Sequence, residues 1–128
     1  MTVENASCVW LTTLRSDGSP HTTPVWFLLH ENIFWIVSST ANAKVRNLAA
    51  DPRVSIAVDG SASDDPRVAE GLATVHHEIE RFDRLVRLFA VKYGGWDATD
   101  ESLDGPRVLV EVRVTRWLLG PNRTHGGM

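Results

Sequence analysis

Cysteine occurs once in the 128 residues, at Cys8. That excludes an internal disulfide and a multi-cysteine zinc knot. Opening an expected strand, Cys8 reads as a small buried hydrophobe rather than a nucleophile. Lysine is nearly as scarce: Lys44 and Lys92 are the only two among 13 basic residues. Sixteen acidic residues bring the formal net charge to −3, so no general field draws nucleic acid to the chain. No apolar run approaches the roughly 18 residues needed to span a membrane. The first ten residues, MTVENASCVW, have neither the basic head nor the apolar stretch of a signal peptide. Neither nucleic acid nor membrane is therefore an expected partner, and the cytoplasm is the default location. Tyrosine also occurs once, against five tryptophans. Length and ordinary apolar and charged fractions suit one domain spanning 1–128, ending in a short flexible tail.

Strand and helix periods organise the chain. Residues 8–15, CVWLTTLR, are rich in β-branched and aromatic side chains and predict a strand. Asp17-Gly18 signals a turn, and 21–29 returns as a second strand, which makes 8–29 a hairpin. Pro24 inside that strand calls for an edge, a bulge or a broken ladder, because proline donates no backbone hydrogen bond. A polar break at His30-Glu31-Asn32 leads to a third strand over 33–39, so the simplest arrangement is a meander. ANAKVRNLAADP then predicts a short helix over 41–50, capped by Thr40 or Asn42 and ended by Pro52. Strands are expected at 53–59 and 67–77, separated by a surface loop at 60–66, with Gly71 marking a bulge.

The best amphipathic stripe is Ile79, Phe82, Leu85, Val86 and Phe89, which places a helix over 78–92 with Lys92 at its surface end. Glu80–Arg84 and Asp83–Arg87 stand four apart in the favourable order, and Gly94-Gly95 stops the helix. Clean alternation over 107–117 is a sixth strand, and PNRTHGGM is the tail. So few helices among six strands favour an antiparallel barrel or strongly curved sheet, which closes its own edges.

Few residues offer chemistry. Ser38, Ser39 and Thr40 precede a helix start, where free N–H groups attract an anion, and Lys44, Arg46 and Asn47 follow on neighbouring faces. The pattern suits a phosphate, but taken alone it reads first as ordinary capping with solvent-facing bases. Pro24 leaves a neighbouring strand with unpaired backbone groups able to meet a polar ring edge, and Trp26 and Trp35 offer a stacking wall. Trp10 and Trp117 read as packing residues. His76 and His77 are adjacent in a strand and point to opposite faces, so no metal site is expected of them. No Ser/His/Asp set or obligate acid or base stands out, and any hard chemistry would come from a cofactor.

The ordered motifs DGSPH, TPVWF, KVRNL and DPRVS resemble the pyridoxamine 5'-phosphate oxidase-like split-barrel superfamily. They are most similar to its actinobacterial flavin/deazaflavin-dependent oxidoreductases. The similarity is strong over residues 8 to about 60 and looser through GLATV, KYGG and VLVEVRVTRW. It implies a mainly β fold, a six-stranded antiparallel split barrel with a short helix after strand 3 and a longer one before the last strand. It further implies a homodimer with cofactor sites at the subunit interface. Thr23, Pro24, Val25 and Trp26 would then approach the cofactor ring, and Ser38, Ser39, Asn42 and Lys44 its phosphate, with Arg46 and Asn47 nearby.

Pyridoxamine phosphate oxidases proper carry basic residues in the second strand and an arginine before the lysine. Here Thr23, Leu28 and Ala43 stand instead. The resemblance therefore implies an 8-hydroxy-5-deazaflavin coenzyme, with FMN as the alternative, and Arg46, Arg53 and partner-chain arginines as a groove for an acidic tail. The implied activity is hydride transfer to a small electron-poor organic substrate. An FMN-dependent reductase or oxidase, and a binding module without turnover, are the other readings.

Overall fold

Seven strands in a computed structural model share one antiparallel sheet with the order β2-β1-β5-β6-β7-β4-β3. The strands are β1 (Val9–Leu14), β2 (Pro20–Val25), β3 (Leu28–His30), β4 (Ile33–Ser39), β5 (Arg53–Val58), β6 (Arg67–His76) and β7 (Arg107–Leu119). Two helices, α1 (Ala43–Ala50) and α2 (Asp83–Lys92), complete the architecture, with 3-10 turns at Val3–Asn5 and Ile79–Arg81. The structure describes residues 3–58 and 67–119. The expected loop at 60–66 and the expected tail at 121–128 lie outside them. No helix among the described residues is long and apolar enough to cross a membrane.

The barrel closure follows from one connection. The two edge strands, β2 and β3, are consecutive in the chain and joined only by Trp26 and Phe27. Laid flat, seven strands would span about 29 Å at the usual interstrand spacing. Three Cα steps reach at most about 11 Å. The sheet must therefore curl until its edges meet. The single expected strand over 21–29 is thus two strands on opposite edges, and the sheet has seven strands rather than six. The expected meander is replaced by two hairpins, β1–β2 and β3–β4. Pro24 fits this arrangement, since β2 is an edge where a missing donor costs nothing. Tight turns make both hairpins: Gly18 takes φ +86° in the longer β1–β2 loop, and Glu31 and Asn32 take φ 55° and 63°, as the two-residue β3–β4 loop demands.

Alternation fills the barrel. Val9, Leu11, Phe34, Ile36, Val54, Ile56, Val108, Val110 and Val112 are buried inside, and Val45 and Leu48 of α1 join the same core. Gly71 is required here by space. A Cβ at this position would lie 2.6 Å from the Arg113 carbonyl oxygen and 2.9 Å from a Val112 methyl. The β6–β7 register shifts at Glu70/Gly71, as the glycine foretold.

A second core forms outside the barrel wall, where Leu85 and Phe89 of α2 pack with Ile79, Ala98, Leu28 and Leu109. The expected helix over 78–92 begins later than predicted. Its first turn is the 3-10 segment, and α2 proper starts at Asp83. Among the described residues neither Glu80–Arg84 nor Asp83–Arg87 forms an ion pair, and Arg81 pairs with Glu78 instead at 2.9 Å. Trp10 also departs from expectation: it lies on the outer face of β1 and is 43% exposed. Trp117 packs against Phe34 with ring centroids 6.1 Å apart.

Candidate functional site

The turn from β4 into α1 gathers most of the expected anion-binding residues. Ser39 is fully buried, and its Oγ donates to the Asp104 carbonyl at 2.6 Å while accepting the Ala41 N–H at 3.2 Å. Asn42 is the N-cap residue of α1 but makes no side-chain cap bond. Its amide bridges outward instead: Nδ2 donates to Asp104 Oδ2 at 3.2 Å, and Oδ1 accepts from Lys44 Nζ at 2.9 Å. Ser38 faces the barrel interior side of β4, and its buried Oγ has no partner. Desolvation lowers the Lys44 ammonium from its ordinary range, against the attraction of Asp104.

Arg107 completes this cluster and was not visible from motif reading. Strand register places it opposite Ser39. Its guanidinium reaches Asp104 Oδ1 at 3.0 Å and the Asp100 carbonyl at 2.8 Å, and its side chain is 12% exposed. The signal lay in the pairing of β4 with β7, which no local motif encodes. Arg107 brings a second cation to the turn from a distant strand, paired there with Asp104.

Arg46 and Asn47 point elsewhere. Arg46 Nη1 donates to the Ala41 carbonyl at 2.8 Å, and Asn47 Nδ2 donates to the buried Thr13 hydroxyl at 3.0 Å, which bolts α1 to β1. Both line a cavity of 360 Å³ together with Arg15 and Ser16. Arg53 is committed to Asp51 through Nε at 3.0 Å and Nη2 at 2.8 Å, and this partner holds the Asp51 carboxyl at about 2.

The strand half of the expected site is set by the edge-to-edge junction. Thr23 has a buried hydroxyl without a partner, Pro24 is exposed, and Val25 packs against the barrel core. Trp26 stacks on Tyr93 with centroids 4.3 Å apart and planes 4° from parallel, and meets the edge of Trp96 at 5.3 Å. It remains 48% exposed. Among the described residues no hydrogen bond or ring contact joins Thr23–Trp26 to the β4–α1 turn. Trp35 lies instead under α2, near Phe82 and His76.

Lys92 overturns its surface expectation. It is half-buried, its Nζ donates to the Phe27 carbonyl at 2.9 Å, and it sits 3.6 Å from the Phe27 ring centroid. Desolvation lowers its ammonium to about 8. The Tyr93 hydroxyl accepts the Phe27 N–H at 2.9 Å and shares its proton between the Ser7 and Phe27 carbonyls at 3.0 and 3.1 Å. The C-terminal end of α2 thereby satisfies the backbone that leaves the ladder between β2 and β3. Cys8 is only partly buried and follows Ser7, whose carbonyl accepts from the Tyr93 hydroxyl.

This architecture recurs in known proteins. An F420 reductase shares 24% identity, with 90% of this chain and 91% of that chain covered and a TM-score of 0.70. The conserved hypothetical protein Rv2991 from Mycobacterium tuberculosis shares 26% identity over 98% of this chain and 88% of its own, with a TM-score of 0.74. HutZ, the haem storage protein of Vibrio cholerae, shares 15% identity over 91% and 88%, with a TM-score of 0.72. The pyridoxamine 5'-phosphate oxidase family profile matches residues 2–119. Nearly the whole described chain, both hairpins and both helices included, lies within that match: the chain belongs to the pyridoxamine 5'-phosphate oxidase family.

Proposed function

We propose that the chain is an oxidoreductase that binds an 8-hydroxy-5-deazaflavin coenzyme and passes hydride to a small electron-poor organic substrate. The observation that carries the reading is the Lys44 ammonium. It is half-withdrawn from water, burial disfavours its charged form, and the Asn42 amide oxygen is its hydrogen-bond partner. An anion beside it would restore the charged form, and the free N–H groups at the start of α1 favour the same ligand. Asn42, Lys44 and Arg107 fit a phosphate group, and Ser39 holds the turn in place through Asp104 and Ala41.

Asp104 refines the fit. Its carboxylate already takes donors from Asn42 and Arg107, so a doubly charged phosphomonoester meets more repulsion than a singly charged phosphodiester. The deazaflavin coenzyme carries the diester, and FMN the monoester. Likeness to the F420 reductase supports the same choice, whereas family membership supports FMN as the second reading.

When bound, the coenzyme supplies a two-electron hydride carrier. This chain's residues would position it: Thr23, Pro24, Val25 and Trp26 would flank the ring, with Trp26 held flat by Tyr93. A second copy of the chain supplies the other wall in this reading. Trp10 and Trp26 are exposed, and Trp10 stands opposite Pro24 on an outer sheet face. That is an apolar surface suited to burial in a homodimer.

Titration of the purified protein with deazaflavin coenzyme and with FMN, read by tryptophan quenching and ring absorbance, tests the assignment. Lys44→Ala is expected to weaken coenzyme binding about tenfold or more, the loss of one charge-assisted bond, with the dimer intact by sedimentation. Unchanged affinity removes Lys44 from the phosphate. Tighter binding of FMN than of deazaflavin selects the second reading, and binding without hydride exchange to any acceptor marks a carrier.

A further inference from the structure

A cavity of 570 Å³ lies where β6 ends and the 3-10 turn before α2 begins, lined by Val75, His76, His77, Glu78, Arg81 and Phe82. Its volume falls in the range of small-molecule sites. Within its wall, His76 Nε2 lies 2.8 Å from Glu111 Oε1 on β7. As a carboxylate Glu111 only accepts, so in the neutral ring Nε2 carries the imidazole proton and Nδ1 is left as an acceptor. Nδ1 has no hydrogen-bond partner among the described residues and remains open to solvent.

One wall is aromatic, backed by Trp35, and the neighbouring charges are paired. The Phe82 ring lies 5.0 Å from the imidazole, and Trp35 lies 6.0 Å from Phe82. Arg81 is paired with Glu78 at 2.9 Å, and Glu111 with Arg113 at 3.5 Å. A planar ligand without net charge suits such a site, with a hydrogen-bond donor placed to meet Nδ1. We propose that this cavity binds a hydroxyl-bearing aromatic small molecule, its O–H donating to His76 Nδ1 and its ring lying against Phe82, with Glu111 as the positioning residue that fixes the imidazole. The inference is independent of the coenzyme reading.

Phenol and its methyl ether, anisole, are the probes, because phenol keeps its proton at neutral pH and anisole has none to donate. Both are titrated into the full chain while the side-chain nitrogens of His76 are followed by NMR. Phenol is expected to saturate the site and move the Nδ1 resonance, and anisole to bind several-fold more weakly without that movement. His76→Phe keeps an aromatic wall and removes the acceptor, and should weaken phenol about tenfold while changing anisole less than twofold. Glu111→Gln should weaken phenol severalfold, since the imidazole tautomer is no longer fixed. Equal binding of phenol and anisole to the unaltered protein overturns the proposal, as does phenol binding that His76→Phe leaves unchanged. A pair that serves only to bolt β6 to β7 would lower the melting temperature of both variants with no saturable phenol binding, which also overturns it.

Discussion

Lys92→Met should abolish a specific pH dependence of stability. In the folded chain the Lys92 ammonium is lowered from 10.5 to about 8 by desolvation. Below pH 8 both folded and unfolded chains carry the charge, and the folded state bears the full desolvation cost. Between pH 8 and 10.5 the unfolded chain holds a proton that the folded one has released. Stability therefore rises with pH through this window. A drop of that size corresponds to at most about 3 kcal/mol. Partial exposure screens it, leaving about 1–2 kcal/mol. Tyr93, raised by its own burial, stays protonated through most of the window. Lys44 is shifted in the same direction as Lys92, so the measurement is the difference between wild type and variant.

Urea unfolding followed by tryptophan fluorescence at pH 7 and pH 10 gives that difference. With an ordinary denaturant slope, the wild-type midpoint should gain roughly 0.5–1 M relative to the variant between the two pH values. Parallel curves at both pH values would refute the desolvated-ammonium argument, and a relative loss at high pH would reverse its sign. The variant also forfeits the bond to the Phe27 carbonyl and the ring contact. It should therefore loosen the β2–β3 junction, seen as faster amide exchange at Phe27.

Gly71→Ala should cost about 2–4 kcal/mol in denaturant unfolding, because its Cβ would press on the Arg113 backbone oxygen rather than on a flexible side chain. A loss below about 0.5 kcal/mol would show that β7 gives way freely. Asn47→Ala leaves the buried Thr13 hydroxyl unsatisfied and should cost about 1–3 kcal/mol; replacing Thr13 by Val in the same protein should recover part of it, measured as a double-mutant cycle. Asp104→Asn removes the carboxylate among Asn42, Lys44 and Arg107. It should tighten FMN several-fold more than it tightens the deazaflavin coenzyme, read by parallel titration, and equal effects on both would deny Asp104 a part in discrimination.

The local elements were legible because each rests on a local cause. β-branched and aromatic enrichment announced β1, a polar break set off β4, alternation announced β7, Gly94-Gly95 stopped α2, and Gly71 announced the bulge. The seam at Trp26-Phe27 was not legible. Residues 21–29 carry one strand pattern interrupted only at Pro24, which signals an edge or a break but does not say that the two halves belong to opposite edges of a sheet. Lys92 was misplaced for a related reason. Its position at a helix end suggested solvent, but the edge junction folds back beneath that helix end and buries it.

The sequence by itself determined the strand-rich class, the helix that follows the third strand pattern, and the run of hydroxyls, amide and lysine over Ser38–Lys44 at that helix start. These depend on side-chain period, capping preference and the polarity of a helix start, all of which act over a few residues. Only the tertiary structure decided which distant groups join that turn. Arg107 and Asp104 arrive because β7 pairs with β4, and Glu111 reaches His76 because β7 also pairs with β6. Cross-strand register is a long-range property, set by how whole faces bury against one core. No spacing within the chain expresses it.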